Sequence, residues 1–223
     1  MSAALPRLKV CCIASVEEAR LAVDAGASAL GLVGAMPSGP GPIDDALIAA
    51  IAARVPPPVA AFLLTSETAP DAVVAHVARC RAGVVQLVDA VAPATYEALR
   101  RALPAVKIVQ VVHVVDEGAV EEACRVAPHV DAVLLDSGRP GLAVKELGGT
   151  GRVHDWSVSR RVVEACGRPV FLAGGLRADN VAEAVRAVRP FGLDVCSGVR
   201  TDGRLDAAKL RAFVAAVRGE PPR

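Results

Sequence analysis

The sequence is poor in aromatic residues, in net charge and in long apolar runs. Phe, Trp and Tyr make up 3% of its 223 residues, which leaves few platforms for stacking exposed bases. Its 25 Lys and Arg are balanced by 24 Asp and Glu, for a formal net charge of +1. That balance lacks the electrostatic footprint of a dedicated nucleic-acid binder, although a local cationic pocket for a small anion stays open. No apolar run reaches the roughly 18–20 residues that cross a bilayer. The first residues lack the basic start and long apolar stretch of a signal peptide, so a cytoplasmic protein with no membrane partner is expected. The six cysteines (Cys11, Cys12, Cys80, Cys124, Cys166 and Cys196) contain no CxxC pair. A bridge between the adjacent Cys11 and Cys12 would be strained, and reduced thiols are expected. No His or Cys cluster shows the ligand spacing of a metal site. What the chain has is hydrophobic residue, at 53%, enough to bury a sizeable core.

Short β-branched runs recur at 8–13, 29–33, 59–64, 84–88, 106–112, 132–135, 170–173 and 193–196. Ala-rich amphipathic stretches follow them at 16–25, 44–53, 69–79, 92–102, 118–126, 157–166, 180–188 and 206–217. Ser15, Asp179 and Asp206 stand where helix caps belong. Strands alternating with helices predict βαβ units and a parallel sheet. Eight units in one chain predict a single-domain (β/α)8 barrel over residues 1–223. The alternative, an open doubly wound sheet, lacks the GxGxxG turn after the first strand. Two stretches break the rhythm, MPSGPGP at 36–42 and SGRPGLAVKELGGTG at 137–151. Both follow strand C-terminal ends, where barrel enzymes place their sites, and the longer one is expected to act as a lid.

Several polar residues interrupt the apolar strands. Lys9, Cys11 and Ile13 share one parity in the first, Gln86 and Val88 in the fourth, Asp194 and Cys196 in the eighth. Burying each polar group alone would be costly, so Lys9, Gln86 and Asp194 are expected to satisfy one another inside the barrel. Cys11 and Asp136 should lie near the C-terminal ends of their strands. Gly174-Gly175 and Ser197-Gly198 form turns after the last two strands, where barrels commonly bind phosphate through backbone N–H groups. Of the histidines, His76 and His129 are expected to be solvated, while His113 and His154 could project into the site. Trp156 is expected to pack at a helix start.

In sum these motifs resemble phosphoribosylanthranilate isomerase over nearly the whole chain. LKVCCI at 8–13 resembles the family's K-[IV]-C-G-[IL], and VQL at 85–87 the start of its VQLHG. LLDS at 134–137, GGTG at 148–151 and HDW at 154–156 resemble LLDS, GGTG and FDW. FLAGGLRADNV and LDVCSGV resemble LAGGL…NV and VDVSSGVE. The resemblance implies a cofactor-free Amadori rearrangement of N-(5′-phosphoribosyl)anthranilate in tryptophan biosynthesis. It implies Cys11 as general base and Asp136 as general acid, with the substrate phosphate on Gly174, Gly175, Ser197 and Gly198. Lys9, Gln86, Asp194, Gly149, Arg139 and Arg200 are expected to bind or support the substrate. A monomer or a homodimer is compatible with it.

The departures fall at the site. The family's glycine after the cysteine is Cys12, its VQLHG histidine is Val88, and its SGVE glutamate is Arg200. Its S-P-R loop reads Ser38-Gly39-Pro40, without the arginine that helps hold the anthranilate end. Arg139, Lys145, Arg152 or Arg200 are expected to replace that cation. The alternatives are a divergent isomerase of another phosphorylated sugar or aminosugar, or a barrel that binds a phosphorylated ligand without turnover.

Overall fold

A computed structural model describes residues 5–138 and 153–220. Strand and helix alternate as β1 (Arg7–Val10), α1 (Val16–Asp24), β2 (Ala29–Val33), α2 (Asp45–Ala52), β3 (Ala60–Thr65), α3 (Pro70–Cys80), β4 (Val84–Leu87), α4 (Pro93–Ala102), β5 (Lys107–His113), α5 (Gly118–Val126), β6 (Ala132–Asp136), α6 (Trp156–Ala165), β7 (Val170–Leu172), α7 (Val181–Val188) and β8 (Gly192–Val195). A small antiparallel hairpin, β9 (Arg200–Thr201) with β10 (Arg204–Leu205), precedes α8 (Ala207–Arg218). The eight strands β1 to β8 close into a barrel in chain order, and β8 pairs in parallel with β1 to complete it.

Local chemistry sets the helix starts. The side chains of Ser15, Asp44 and Asp206 each accept backbone N–H bonds at the first turn of α1, α2 and α8. Pro70 and Pro93 open α3 and α4, where a missing N–H costs nothing. Asp179 does not cap α7. That helix starts one residue later, after Asn180, whose side chain accepts from Arg177 N at 2.8 Å and donates to Gly175 O at 3.0 Å. Asn180 therefore ties the start of α7 to the turn after β7.

Alternation along each strand divides the core in two. Val133 and Leu135 of β6 face the helix layer, while Ala132 and Leu134 face the barrel interior. Phe62 and Phe171 meet edge to face in that interior, with ring centroids 5.9 Å apart. The expected parity of β1 fails at its end. Cys11 and Cys12 both pack with the interior, and Ile13 belongs to the outer core. The cause is Cys12, whose φ of +62° breaks the extended path.

The register of β1 against β8 sets Lys9 opposite Asp194. Both are buried, and Lys9 Nζ donates to Asp194 Oδ2 at 2.8 Å. The ammonium also lies 5.5 Å above the Phe62 ring. Burial alone would lower the Lys9 pKa, but the charges of Asp194 and Cys11 carry it above the ordinary lysine value. The third expected member stands apart, since no described residue donates to Gln86 Oε1. Removing one partner of a buried pair strands the other charge. Lys9→Met is therefore expected to lower stability by about 3–5 kcal/mol, with Lys9→Met/Asp194→Leu recovering most of it. Urea midpoints test this; equal midpoints for Lys9→Met and the parent would remove the pair from the account.

Candidate active site

The C-terminal ends of the strands enclose a cavity. Cys11, Gln86, Asp136 and Asp194 line it, as do Gly174-Gly175 and Ser197. The wall is completed by Met36, Ser38, Gly39 and Pro40 from the loop after β2, and by Val88. Residues 11 and 136, which are remote in sequence, thus share one enclosure.

Cys11 extends β1, its N–H bonded to Val195 O at 2.8 Å. Its sulfur sits in space left by Gly31 of β2. A Cβ built there would lie 2.7 Å from Cys11 Sγ and 3.0 Å from Lys9 Nζ. Gly31 thereby leaves room for a thiol beside an ammonium. The next residue turns left-handed, a conformation that glycine adopts without strain.

Arg200 holds this turn from behind. Its guanidinium donates to the carbonyls of Cys11 and Cys12 and to Gly203 O, and pairs with Glu18 at 3.2 Å. Glu18 in turn accepts from Ala14 N and Leu205 N. Arg200 is 9% exposed and does not line the cavity. It was expected to read a substrate carboxylate; the structure instead turns its Nη1 and Nη2 to Glu18 and to the backbone that presents Cys11, and leaves its Nε without a described partner.

Asp136 ends β6 at the cavity wall. Its Oδ1 accepts from Ser137 N at 2.7 Å. Burial pushes its carboxyl up to about 6, with the negative charge of Asp194 adding to the rise, while the Ser137 N–H and Lys9 oppose it. An ordinary aspartate near 3.9 would hold its proton in about one chain in a thousand at pH 7, against about one in ten for Asp136.

The turn after β7 is left-handed at two successive glycines, and space requires the first of them. Gly174 and Gly175 have φ of +83° and +64°, and a Cβ on Gly174 would meet His154 Nδ1 at 3.0 Å and Ser137 Oγ at 3.1 Å. Among the described residues nothing accepts from either glycine N–H. Ser197 opens a 3-10 turn, Ser197–Val199. Gly198 lies off the cavity wall, and a Cβ there would stand 2.0 Å from Leu176 O. Its place is explained by the close packing of the two turns.

A family model described as N-(5′-phosphoribosyl)anthranilate (PRA) isomerase matches residues 8–216. The chain belongs to the N-(5′-phosphoribosyl)anthranilate isomerase family. It is 39% identical over 217 residues to the isomerase of Natronomonas pharaonis, covering 96% of this chain and 99% of the relative. It is 34% identical over 215 residues to that of Methanocella arvoryzae, covering 96% and 99%. The crystal structure of the phosphoribosylanthranilate isomerase from Thermus thermophilus superposes with a TM-score of 0.80 at 31% identity, covering 96% of this chain and 98% of that one.

Other expectations for this isomerase-family barrel resolve differently. His76 is buried, not solvated, bridging Thr65 Oγ1 at 2.8 Å and Asp45 Oδ1 at 3.1 Å. Cys80 joins them, so Asp45, His76 and Cys80 place three potential ligand atoms within 4.8 Å of one another. The i, i+4 spacing of His76 and Cys80 was the available sequence signal. Arg79 already occupies the Asp45 carboxylate at 2.9 Å. His113 and His154 do not line the cavity. His113 Nε2 bonds Val88 O, and His154 Nε2 bonds Ser159 Oγ. Burial lowers His113 and takes His154 down to about 4. Arg139, Lys145, Gly149, Arg152 and all of the expected lid beyond residue 138 lie outside the described residues.

The raised Asp136 pKa has a stability sign. The native state binds this proton more tightly than the unfolded chain, so ionisation above about pH 6 costs stability that is retained below about pH 4. Asp136→Asn is therefore expected to be more stable than the parent at pH 8, by about 3 kcal/mol, with the gain shrinking toward pH 4. Urea unfolding at the two pH values measures it, and a pH-independent difference would contradict the shift.

Proposed function

We propose that this chain carries out its family's Amadori rearrangement with Cys11 as general base and Asp136 as general acid. The observation that carries the reading is a thiol and a buried carboxyl lining one cavity, beside a glycine turn whose N–H groups no described residue accepts from. N-(5′-Phosphoribosyl)anthranilate is the substrate, and 1-(2-carboxyphenylamino)-1-deoxyribulose 5-phosphate the product. The phosphate rests on the turns at Gly174-Gly175 and Ser197, where backbone N–H groups can approach it.

Asp136 gives its proton to the furanose oxygen as the C1′–O bond breaks, and the aglycone nitrogen forms a Schiff base to C1′. Cys11 then takes the proton from C2′, leaving an enol-amine. Proton return from Cys11 to C1′, with the C2′ hydroxyl proton passing to the ionised Asp136 carboxylate, gives the C2′ ketone and resets both groups. No redox equivalent enters or leaves, so the proton transfers suffice. Gln86 Oε1 and Asp194 Oδ1 receive no hydrogen bond from any described residue, and this reading assigns them to accept from sugar hydroxyls. Among the described residues the cavity wall carries no lysine or arginine. Arg139, Lys145 and Arg152, outside them, are the cations this reading assigns to the anthranilate carboxylate.

Cys11→Ala and Asp136→Asn are each expected to cut kcat by about 10²–10⁴-fold while KM stays within a few fold. Steady-state kinetics on N-(5′-phosphoribosyl)anthranilate, with rescue of a tryptophan auxotroph lacking this step, checks it. No turnover by the parent would shift the substrate to another phosphorylated aminosugar; full turnover by both variants would remove the mechanism.

A further inference from the structure

Acid–base catalysis leaves two cavity thiols unexplained, Cys12 and Cys196. They lie 184 residues apart, and closure of the barrel brings their sulfurs to 2.7 Å. A disulfide needs about 2.05 Å, so the bond requires a movement well under 1 Å. Both side chains line the cavity. Cys12 is buried and Cys196 is partly exposed.

Neither cysteine is accounted for by its own surroundings. The motifs resembled by this chain carry glycine at position 12 and serine at position 196. Cys12 holds a left-handed φ, a conformation that strains a residue with a side chain. The third departure, Arg200, completes the set. The contact with Cys12 holds the Cys196 thiol below its ordinary value against burial, with the Arg200 charge assisting. Bonds to Cys11 and Cys196, together with burial, push Cys12 upward. The more acidic thiol is thus also the more exposed one, the arrangement expected of an oxidant-sensing cysteine with a resolving partner.

We propose that Cys12 and Cys196 form a reversible disulfide across the cavity mouth that switches catalysis off. The oxidant is a peroxide. The Cys196 thiolate attacks the peroxide O–O bond, giving a sulfenic acid and releasing hydroxide. Cys12 displaces the sulfenic oxygen, and its proton leaves with the departing hydroxide. In total two thiols and one hydrogen peroxide give one disulfide and two waters; a dithiol reverses it. The bond removes the S–H that Cys12 donates to Pro40 O at 3.6 Å, a tie to the loop that walls the cavity. It also clamps the residues adjoining Cys11 and Ser197. The loss of turnover rests on the proposed function, whereas the crosslink does not.

The test treats the reduced full-length protein with stoichiometric hydrogen peroxide. The expected result is a mass lower by about 2 Da with two fewer alkylatable thiols, and a proteolytic peptide joining the Cys11-Cys12 segment to the Cys196 segment. Turnover falls at least about tenfold and dithiothreitol restores it, as for other reversible thiol switches. Cys12→Gly and Cys196→Ser, each compared with its own untreated sample, form no such peptide and lose less than about twofold. The proposal is overturned by absence of the joined peptide, by its persistence in Cys12→Gly, or by a crosslinked protein of undiminished turnover. Mass and peptide are read without substrate. A reduced protein that crosslinks but turns over nothing therefore counts against the isomerase reading alone.

Discussion

The ion pair between Lys9 and Asp194 is the contact on which the site depends. It spans the seam where the last strand meets the first, at 2.8 Å in a buried interior. Two residues beyond Lys9 stands Cys11, and two beyond Asp194 stands Cys196, so the register that joins the charges also aims the thiols. Both charges reach Asp136, Asp194 raising its pKa and Lys9 lowering it. A buried pair is expensive to assemble, and its return here is placement: one cation and one anion fixed under a cavity that must move protons.

The same economy explains Arg200. A guanidinium within reach of an active site invites a role in reading an anionic substrate. Its partners show another use, since it binds the carbonyls of Cys11 and Cys12 and the carboxylate of Glu18. That cluster fastens α1, the β9–β10 hairpin and the end of β1 around the left-handed turn. Support for Cys11 comes from behind the strand, and the cavity face stays available to substrate.

Much of the architecture was legible because strands and helices announce themselves locally. All eight β-branched runs became barrel strands, within one or two residues except at the end of β1. Asp136 could be placed at a strand end from LLDS alone. What failed was set by contacts distant in sequence. Ile13 left its expected face because Cys12 turns left-handed, and only the glycine of the resembled motif hinted at that. His76 was buried by Thr65 and Asp45, from other elements. Arg200 met Glu18 across 182 residues. Cys12 and Cys196 each read as an isolated departure, and only closure of the barrel shows them as a pair. Gly198 read as an anion-binding glycine, and the close approach of the Leu176 carbonyl adds a second demand for glycine there. Such pairings leave no periodic trace in a single sequence.

The central claim is that Cys11 and Asp136 act on opposite flanks of one pentose whose phosphate rests on the glycine turns. A crystal structure of the reduced protein with a reduced, non-reacting analogue of the product tests it most directly. The account predicts the phosphate against the N–H groups of Gly174, Gly175 and Ser197. It predicts Cys11 Sγ within contact of C2′ and the Asp136 carboxyl within hydrogen-bond reach of the oxygen that closes the furanose. An analogue bound with its sugar carbons beyond reach of either side chain, or with its phosphate elsewhere, would contradict it.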